Sequence, residues 1–453
     1  MNIIVAGSGK LGSMLTKRLV EEGHNLTIID TSQDVLDESI EEYDVLSVKG
    51  NCASMEILRE AGVETADLLI VTAEEDEINL LCCMTAHGMN KNLHTIARIR
   101  TPDYAESTYA MRKLFALSLT VNPERHAARE IYRLLKYPGF IKREKFANGR
   151  IEMVELKVEA NSLLDNMPLY KMPKIANGQV IVCTVLRDGN VITPSGDFIL
   201  KAGDKIYVTA SPINLNKMLK NLGLITRRIK NIVIAGGGSV CFYLAQFLEK
   251  DNCNVKVIEQ DISRCEHLAE HFENINIVNG DASSQLMLEK EGVENCDAVI
   301  SLTGMDEKNA VISLYANSIN IPKVITKLGR SQHMQIFEAL PIGTIISTKE
   351  LSCNTIVRYV RAMENQVGSA VTVHSIADDL AEAIEFIVDN STYNCSVPLK
   401  DIKLKPNVLI ASITKGNRNE FPNGDSIFVP GDRILIVRNG GKIIKQLNDI
   451  FED

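Results

Sequence analysis

The segment Asn2-Ile-Ile-Val-Ala-Gly-Ser-Gly returns, far along this 453-residue chain, as Asn231-Ile-Val-Ile-Ala-Gly-Gly-Gly. Gly7 and Gly236 are thereby 229 residues apart. Later landmarks keep that spacing to within a residue. Gly50-Asn-Cys-Ala-Ser answers Gly280-Asp-Ala-Ser-Ser, and Asp76-Glu-Ile-Asn answers Asp306-Glu-Lys-Asn, each at an offset of 230. Near the end of each copy, Ser195-Gly-Asp with Ala202-Gly-Asp-Lys-Ile answers Asn423-Gly-Asp with Pro430-Gly-Asp-Arg-Ile, at 228. So many spaced coincidences mean tandem duplication. Solenoid repeats run to roughly 20–45 residues, so a unit this long must fold as one or two complete domains.

Within the first copy, apolar runs at Ile3 to Ala6, Leu26 to Ile29, Val45 to Val48, Leu68 to Val71 and Thr95 to Ile99 alternate with stretches of helical period. That alternation predicts an α/β fold, a parallel doubly wound sheet of Rossmann type covered by helices. The first helix is expected from Lys10 to Glu22, stopping at Gly23, a residue suited to a left-handed C′ position. A strand at Leu117 to Val121 and a helix near Glu124 to Leu135 follow.

From Lys136 to Arg150 the pattern breaks into Tyr-Pro-Gly and basic residues, which reads as a linker. Beyond it, strand-like runs at Ile151 to Val158, Val180 to Leu186, Asn190 to Thr193 and Lys205 to Thr209, then a helix near Pro212 to Leu222, predict a small α+β module. Arg227, Arg228 and Lys230 mark the join to the second copy. The expected domains are 1–135 and 229–352 for the Rossmann-like lobes, and 142–226 and 366–453 for the modules.

Gly7-Ser8-Gly9-Lys10-Leu11-Gly12 fits G-x-G-x-x-G, follows a predicted strand and opens a predicted helix. In that setting the first Gly permits the tight turn, the second lets backbone approach a pyrophosphate, and the third lets helix pack on strand. The helix N-terminus then meets negative charge. Asp30, 23 residues after Gly7, falls at the end of the second strand. A carboxylate there accepts from both hydroxyls of a ribose and repels a 2′-phosphate, which favours NAD(H) or an adenine nucleotide such as ATP/ADP over NADP.

The second copy offers Gly236-Gly237-Gly238-Ser239-Val240-Cys241, with Glu259 at the same spacing. Cys241 stands where the third Gly belongs, a packing position, so a slightly raised helix is expected and binding there is less secure. After the fourth strand the run Thr72-Ala73 to Asn79 and its twin from Thr303 to Asn309 reach the carboxyl edge of the sheet, where ligands bind. Backbone at Thr72 and Ala73 is placed to meet a nucleotide. Asp76 and Asp306 either approach it or complement a helix dipole. Arg98, ending the fifth strand, is suited to neutralise a phosphate, and Lys327 takes its place in copy two, keeping the charge but losing the fork.

Other chemistries find little support. Lys plus Arg number 49 against 58 Asp plus Glu, a formal charge of -9, which argues against a chain built to neutralise nucleic-acid phosphates. Nor is there a basic recognition helix for a DNA-binding redox sensor. The ten Cys never form C-x-x-C or a zinc-spaced quartet, and read as reduced thiols. No run of about 18 apolar residues appears, and the start lacks a charged n-region, so a cytoplasmic chain is expected. A dehydrogenase needs an acid/base group and a substrate pocket. Neither a clustered set of His nor a Gly-x-Ser-x-Gly elbow, H-E-x-x-H or Walker loop is present, and His126 reads as a helix-surface residue. An NAD-dependent oxidoreductase is the alternative class; a regulatory binding protein without catalytic residues fits better.

The loop with Asp30, the Gly-Asn/Asp-Ala-Ser segment, the Thr-to-Asp-Glu-x-Asn run, Ala97-Arg98 and the Gly-Asp-rich module together resemble the RCK unit, the regulator of potassium conductance. Two such units in one chain resemble the TrkA family, peripheral cytosolic subunits of Trk potassium uptake systems. The resemblance implies nucleotide-binding lobes paired into a ring, a tetrameric homo-oligomer. The ring would dock on the inner face of the membrane beneath a TrkH-like integral membrane potassium transporter or channel subunit. It extends the site to Asn51 and Asp281. Cys241, Lys327 and Asn51, the last where the family pattern has Asp, are departures from that pattern.

Overall fold

Short runs of β-branched residues bounded by turn formers make strands, and those buried on both faces read as continuous apolar segments. In the computed structural model the run at Ile3 lies in β1 (Asn2–Ala6), whose residues from Ile3 onward are buried. The structure describes residues 1–136, 142–223, 229–329, 336–337, 340–364, 370–377, 380–416, 418–440, 444 and 446–452. Two units result, residues 1–135 with 229–357, and 136–228 with 358–453.

The first unit holds two lobes. In lobe one, β1 is followed by α1 (Lys10–Glu21), β2 (Asn25–Asp30), α2 (Gln33–Glu42), β3 (Leu46–Lys49), α3 (Met55–Glu60), β4 (Leu68–Val71), α4 (Asp76–Met89), β5 (His94–Arg98), α5 (Pro102–Ala110), β6 (Leu119–Val121) and α6 (Pro123–Lys136). The sheet runs β3-β2-β1-β4-β5-β6, all parallel. Ile4 is opposite Thr27 on one side and Leu69 on the other. Strand order reverses between β1 and β4, which places a crevice at their carboxyl ends.

Lobe two repeats this with strands at Asn231–Ala235, Asn254–Glu259, Ile275–Asn279, Ala298–Ser301, Lys323–Lys327 and Thr344–Ile346, in the equivalent order. Its phosphate-loop helix is Ser239–Glu249, and helix Asp306–Ser318 answers α4. The expected doubly wound parallel sheets are thus present twice.

The lobes exchange their last helices. The buried face of α6, Ala127, Ala128, Ile131, Leu134 and Leu135, packs in one core with Ile232, Val240 and Leu244 of lobe two. The long helix Thr348–Glu364 answers in kind: Asn354 accepts from Arg18 of α1, and the Cys353 thiol contacts the Met14 carbonyl. Burying a helix face of this size against the other lobe contributes roughly 1.5–3 kcal/mol per large side chain.

The second unit holds the small modules. Five-stranded sheets occur in each, and Phe146, Ile151, Met153 and Tyr207 of one share a core with Ala383, Leu435 and Val437 of the other. The stretch read as a linker is corrected by a strand, Lys142–Phe146, paired antiparallel with Ile151–Lys157. It lies at the sheet edge, where charged residues are tolerated because only one side is paired. Residues 137–141 of that stretch, and Arg227 and Arg228 at the join, lie outside the described residues.

Candidate functional site

The phosphate loop forms where β1 ends. Gly7 takes a φ of +88°, and a Cβ there would lie 2.7 Å from the Ala73 amide nitrogen. Gly12 is tighter still, because its Cβ would fall 2.0 Å from the Gly7 carbonyl oxygen. Helix α1 therefore packs directly on the loop, and Thr72 Oγ1 donates to the Gly7 carbonyl at 2.7 Å from the far side. Gly9 differs: a Cβ there would meet nothing within 4 Å. It caps α1 without any side-chain acceptor, so the first N–H groups of the helix face outward beside exposed Lys10. That arrangement is suited to an anion.

Asp30 closes one side. Its Oδ2 accepts from the Ser8 amide at 2.7 Å and its Oδ1 from the Ser32 amide at 2.9 Å. A carboxylate offers about four acceptor positions, so capacity remains for ribose hydroxyls. Ser8 and Leu11 are buried and serve packing. Asn51 is exposed at the end of β3, its Oδ1 bound to the Ala53 amide at 2.9 Å.

On the opposite side Arg98 donates from Nη2 to the Ala73 carbonyl at 2.7 Å, while its Nε is buried with no hydrogen-bond partner. Burial, and after it the neighbouring Arg100 cation, lowers its pKa from the ordinary arginine value. A buried donor without a partner costs about 1–3 kcal/mol, more for a charged group.

Asn79, on α4, is a residue that sequence reasoning passed over. Its Nδ2 donates to the carbonyls of Ala73 (3.1 Å) and Arg98 (2.8 Å), joining the ends of β4 and β5, while its Oδ1 is buried without a partner. The repeated Asp-Glu-x-Asn signal could have found it. Asp76 accepts from the amides of Arg100 and Thr101, so it braces the loop after β5.

Lobe two builds the same frame and fills it from within. Gly236 has a φ of +106°, Gly238 faces open space, and Glu259 accepts from the Gly237 amide. Cys241 is fully buried at the position of Gly12, where the lobe-one spacing would put a Cβ 2.0 Å from a carbonyl oxygen and so does not admit this side chain. Val240 is buried and Ser239 exposed. Where Asn79 Oδ1 is unpartnered, Asn309 Oδ1 accepts from the amide and hydroxyl of Thr303, which occupies the position of Ala73. Lys327 Nζ donates to the Leu302 carbonyl at 3.2 Å, and burial foremost lowers its pKa. Asp281, in the place of Asn51, accepts from Ser283 and pairs with Lys308 at 3.3 Å; these contacts lower its pKa.

Both edges meet at the start of α6. Glu124 accepts from Arg100 Nε at 3.1 Å, its Oε2 is buried without a partner, and its charge acts on both Arg98 and Lys327. Tyr243, on the phosphate-loop helix of lobe two, donates to the Arg100 carbonyl at 3.3 Å and accepts from Asn122 Nδ2 at 2.9 Å. No single-copy motif pointed to Glu124 or Tyr243. His126, read as a surface residue, is half-buried. None of the ten cysteines is in a disulfide; among the described residues no cluster could hold a metal ion and no helix is long and apolar enough to cross a membrane.

Known proteins share this layout. The TrkA-N domain model matches residues 3–116 and 232–348, and the TrkA-C domain model matches 153–223 and 383–448. A Trk system potassium uptake protein TrkA homolog of Archaeoglobus fulgidus is 30% identical over all of both chains. Homolog 1 of Methanosarcina mazei is 31% identical over 96% of this chain and 97% of its own. Among solved structures, the GsuK RCK domain superposes with a TM-score of 0.63 at 16% identity, covering 97% of this chain and 92% of that one. A GsuK channel bound to NAD gives 0.63 at 16% identity, covering 97% and 76%. With both domain models matched twice along its length, the chain belongs to the TrkA family.

Proposed function

We propose that this chain is the nucleotide-sensing regulatory subunit of a Trk-type potassium uptake system, binding NAD(H) or ATP/ADP to report it and converting none of it. The observation that carries the reading is the lobe-one crevice, where an open glycine face and an uncapped helix N-terminus lie at the same sheet edge as Asp30 and a buried guanidinium nitrogen without a partner. The relatives named for Trk potassium uptake support the regulatory role, and GsuK, solved with NAD and with ADP, supports the ligand class. Nothing in those relatives favours an oxidoreductase. The partner is a TrkH-like integral membrane potassium-translocating subunit, the assembly a tetrameric ring, and the place the inner face of the membrane.

In lobe one, Gly7, Ser8, Gly9, Lys10, Leu11 and Gly12 form the loop, Asp30 takes the ribose, Asn51 the base edge, and Thr72, Ala73 and Arg98 the phosphate side. Gly236, Gly237, Gly238, Ser239, Val240, Glu259, Asp281, Thr303 and Lys327 form a weaker second site. Lower affinity there follows from Cys241 and from lysines already engaged with Leu302 and Asp281. Glu124 joins the two, since phosphate bound near Arg98 competes with its carboxylate for the same cations.

Calorimetric titration of the purified chain with NADH, NAD, ATP and ADP, paired with native mass measurement, tests the proposal. One tight adenylate site per chain and a four-chain mass are expected. Absence of affinity for every adenylate, or sustained oxidation of a metabolite, would overturn it.

A further inference from the structure

At the amino ends of the lobe-two strands, the sheet edge away from the phosphate loop, the parallel register lines up polar side chains that the fold does not demand. Asn231 lies opposite Asn254, and Val233, Lys256 and Asn276 form a second row across three strands. Side chains paired across strands, and those two apart along one, share a face, so Asn231, Asn254, Lys256 and Asn276 lie on one side of the sheet. The turn after helix Gln285–Lys290 meets that side: Lys256 Nζ donates to the Glu291 carbonyl at 2.7 Å and pairs with its carboxylate at 2.9 Å. These groups line a groove of about 460 Å³, with buried Val233 and Cys296 at its base and exposed Asn231, Asn254, Asn276 and Asn295 around it. Small-molecule sites span roughly 300–1,000 Å³.

Lobe one supplies an internal control. Its register puts Thr27 and Leu46 where Lys256 and Asn276 stand, and its sequence has Ala61, Thr65 and Ala66 for Glu291, Asn295 and Cys296. Asn2 and Asn25 recur, joined as Asn231 and Asn254 are. The same sheet edge therefore folds without the ion pair and without the added carboxamides.

We propose that this lobe-two groove binds a neutral polyhydroxyl compound, a sugar or sugar alcohol. Neutrality follows from the ion pair, because Lys256 and Glu291 are the charged lining groups and cancel each other. A charged ligand would have to break them apart. Hydroxyls follow from the carboxamides, each of which sets a carbonyl acceptor beside two N–H donors, a match for neighbouring hydroxyls that donate and accept at once. Asn254 donates from Nδ2 to Asn231 Oδ1 at 3.0 Å, which leaves its own Oδ1 and the Asn231 amide hydrogens for a ligand. Asn276 makes no side-chain hydrogen bond among the described residues. Val233 and Cys296 would meet the C–H face of a sugar ring. The site is independent of the adenylate reading, since it occupies the other end of the strands.

Saturation-transfer difference NMR on the full chain tests this, with glucose, trehalose and sorbitol as neutral probes and glutamate and glycine betaine as charged and zwitterionic ones. At least one neutral probe should bind saturably, more tightly than either of the others. Asn276→Leu installs the lobe-one residue at an exposed position, so the melting temperature should hold while affinity falls by about fivefold or more, the order of one hydrogen bond. Adding Asn295→Thr should weaken binding further. No binding of any neutral probe, tighter binding of glutamate or glycine betaine, or full affinity in Asn276→Leu would overturn the proposal.

Discussion

At Gly12 a single methyl group decides whether helix and loop can touch. Its Cβ would fall 2.0 Å from the Gly7 carbonyl oxygen, so Gly12→Ala must lift α1 off the loop. Overpacking of this kind costs about 1–3 kcal/mol. Since α1's N-terminal amides move with it, adenylate affinity should fall by about tenfold or more, which is 1.4 kcal/mol. Calorimetry on a variant with unaltered circular dichroism checks this, and unchanged affinity would mean that the ligand does not meet this helix end. Arg98→Ala makes a second case. The substitution removes the unpartnered buried Nε together with one bond to the Ala73 carbonyl, which Asn79 still serves, so the melting temperature should hold within a few degrees while affinity drops by roughly tenfold, the order of one charge-assisted hydrogen bond. An affinity equal to wild type would take Arg98 out of the phosphate side. Both residues were legible in the sequence through motif and position. Asn79 and Glu124 were less so, because a carboxamide bridging two strand ends and a carboxylate shared by two lobes are set by tertiary contacts.

Among the elements, α4 shows how one side chain holds a crevice open. Asn79→Leu keeps the branched shape and removes both donated bonds; the Ala73 carbonyl still accepts from Arg98 Nη2, while the Arg98 carbonyl loses its side-chain donor. At about 1–3 kcal/mol for one unsatisfied buried group, urea unfolding should report a loss in that range. A stability equal to wild type would show that the clamp is dispensable. The module carries a comparable tie, with Arg187 bonded through Nε and Nη2 to both oxygens of Asp204 at 2.7 Å. Burial pushes the Asp204 carboxyl up, yet the Arg187 and Lys201 contacts lower its pKa overall. A depressed carboxylate stabilises the fold above its unfolded value, near 3.9, and that stability is lost as pH falls through the folded one. Melting temperature should therefore drop on acidification below about pH 4, and less steeply in Asp204→Asn. The sequence made the Rossmann strands plain because each is a continuous apolar run. It hid the strand Lys142–Phe146, whose run Lys142, Arg143, Glu144, Lys145 has none of the period-two alternation by which strands are read. It also gave α6 an apolar face without saying which lobe that face would cover, since amphipathic period specifies burial and not the partner.

For the whole molecule the exchange of last helices matters more than either site alone. Because α6 leaves lobe one and lies in the core of lobe two, Arg100, bonded to Glu124 and Tyr243, ties the loop after β5 to the phosphate-loop helix of the other lobe. A gate moved from 1:99 to 99:1 requires about 5.5 kcal/mol of differential binding. If four lobe-one sites in a ring share it, each supplies about 1.4 kcal/mol, a tenfold preference for one state, which a single phosphate contact on Arg98 can provide. A ligand with equal affinity for both states shifts nothing, however tightly it binds. The adenylate that opens transport should accordingly bind the reconstituted complex about tenfold more tightly per site when the gate is held open than when it is held closed. Glu124→Gln should narrow that ratio and raise the isolated chain's affinity, because the carboxylate then no longer competes with phosphate for Arg98. Equal affinities in the two gate states would deprive the lobe-one site of any lever on the partner, even with every contact at Gly9, Asp30 and Arg98 intact.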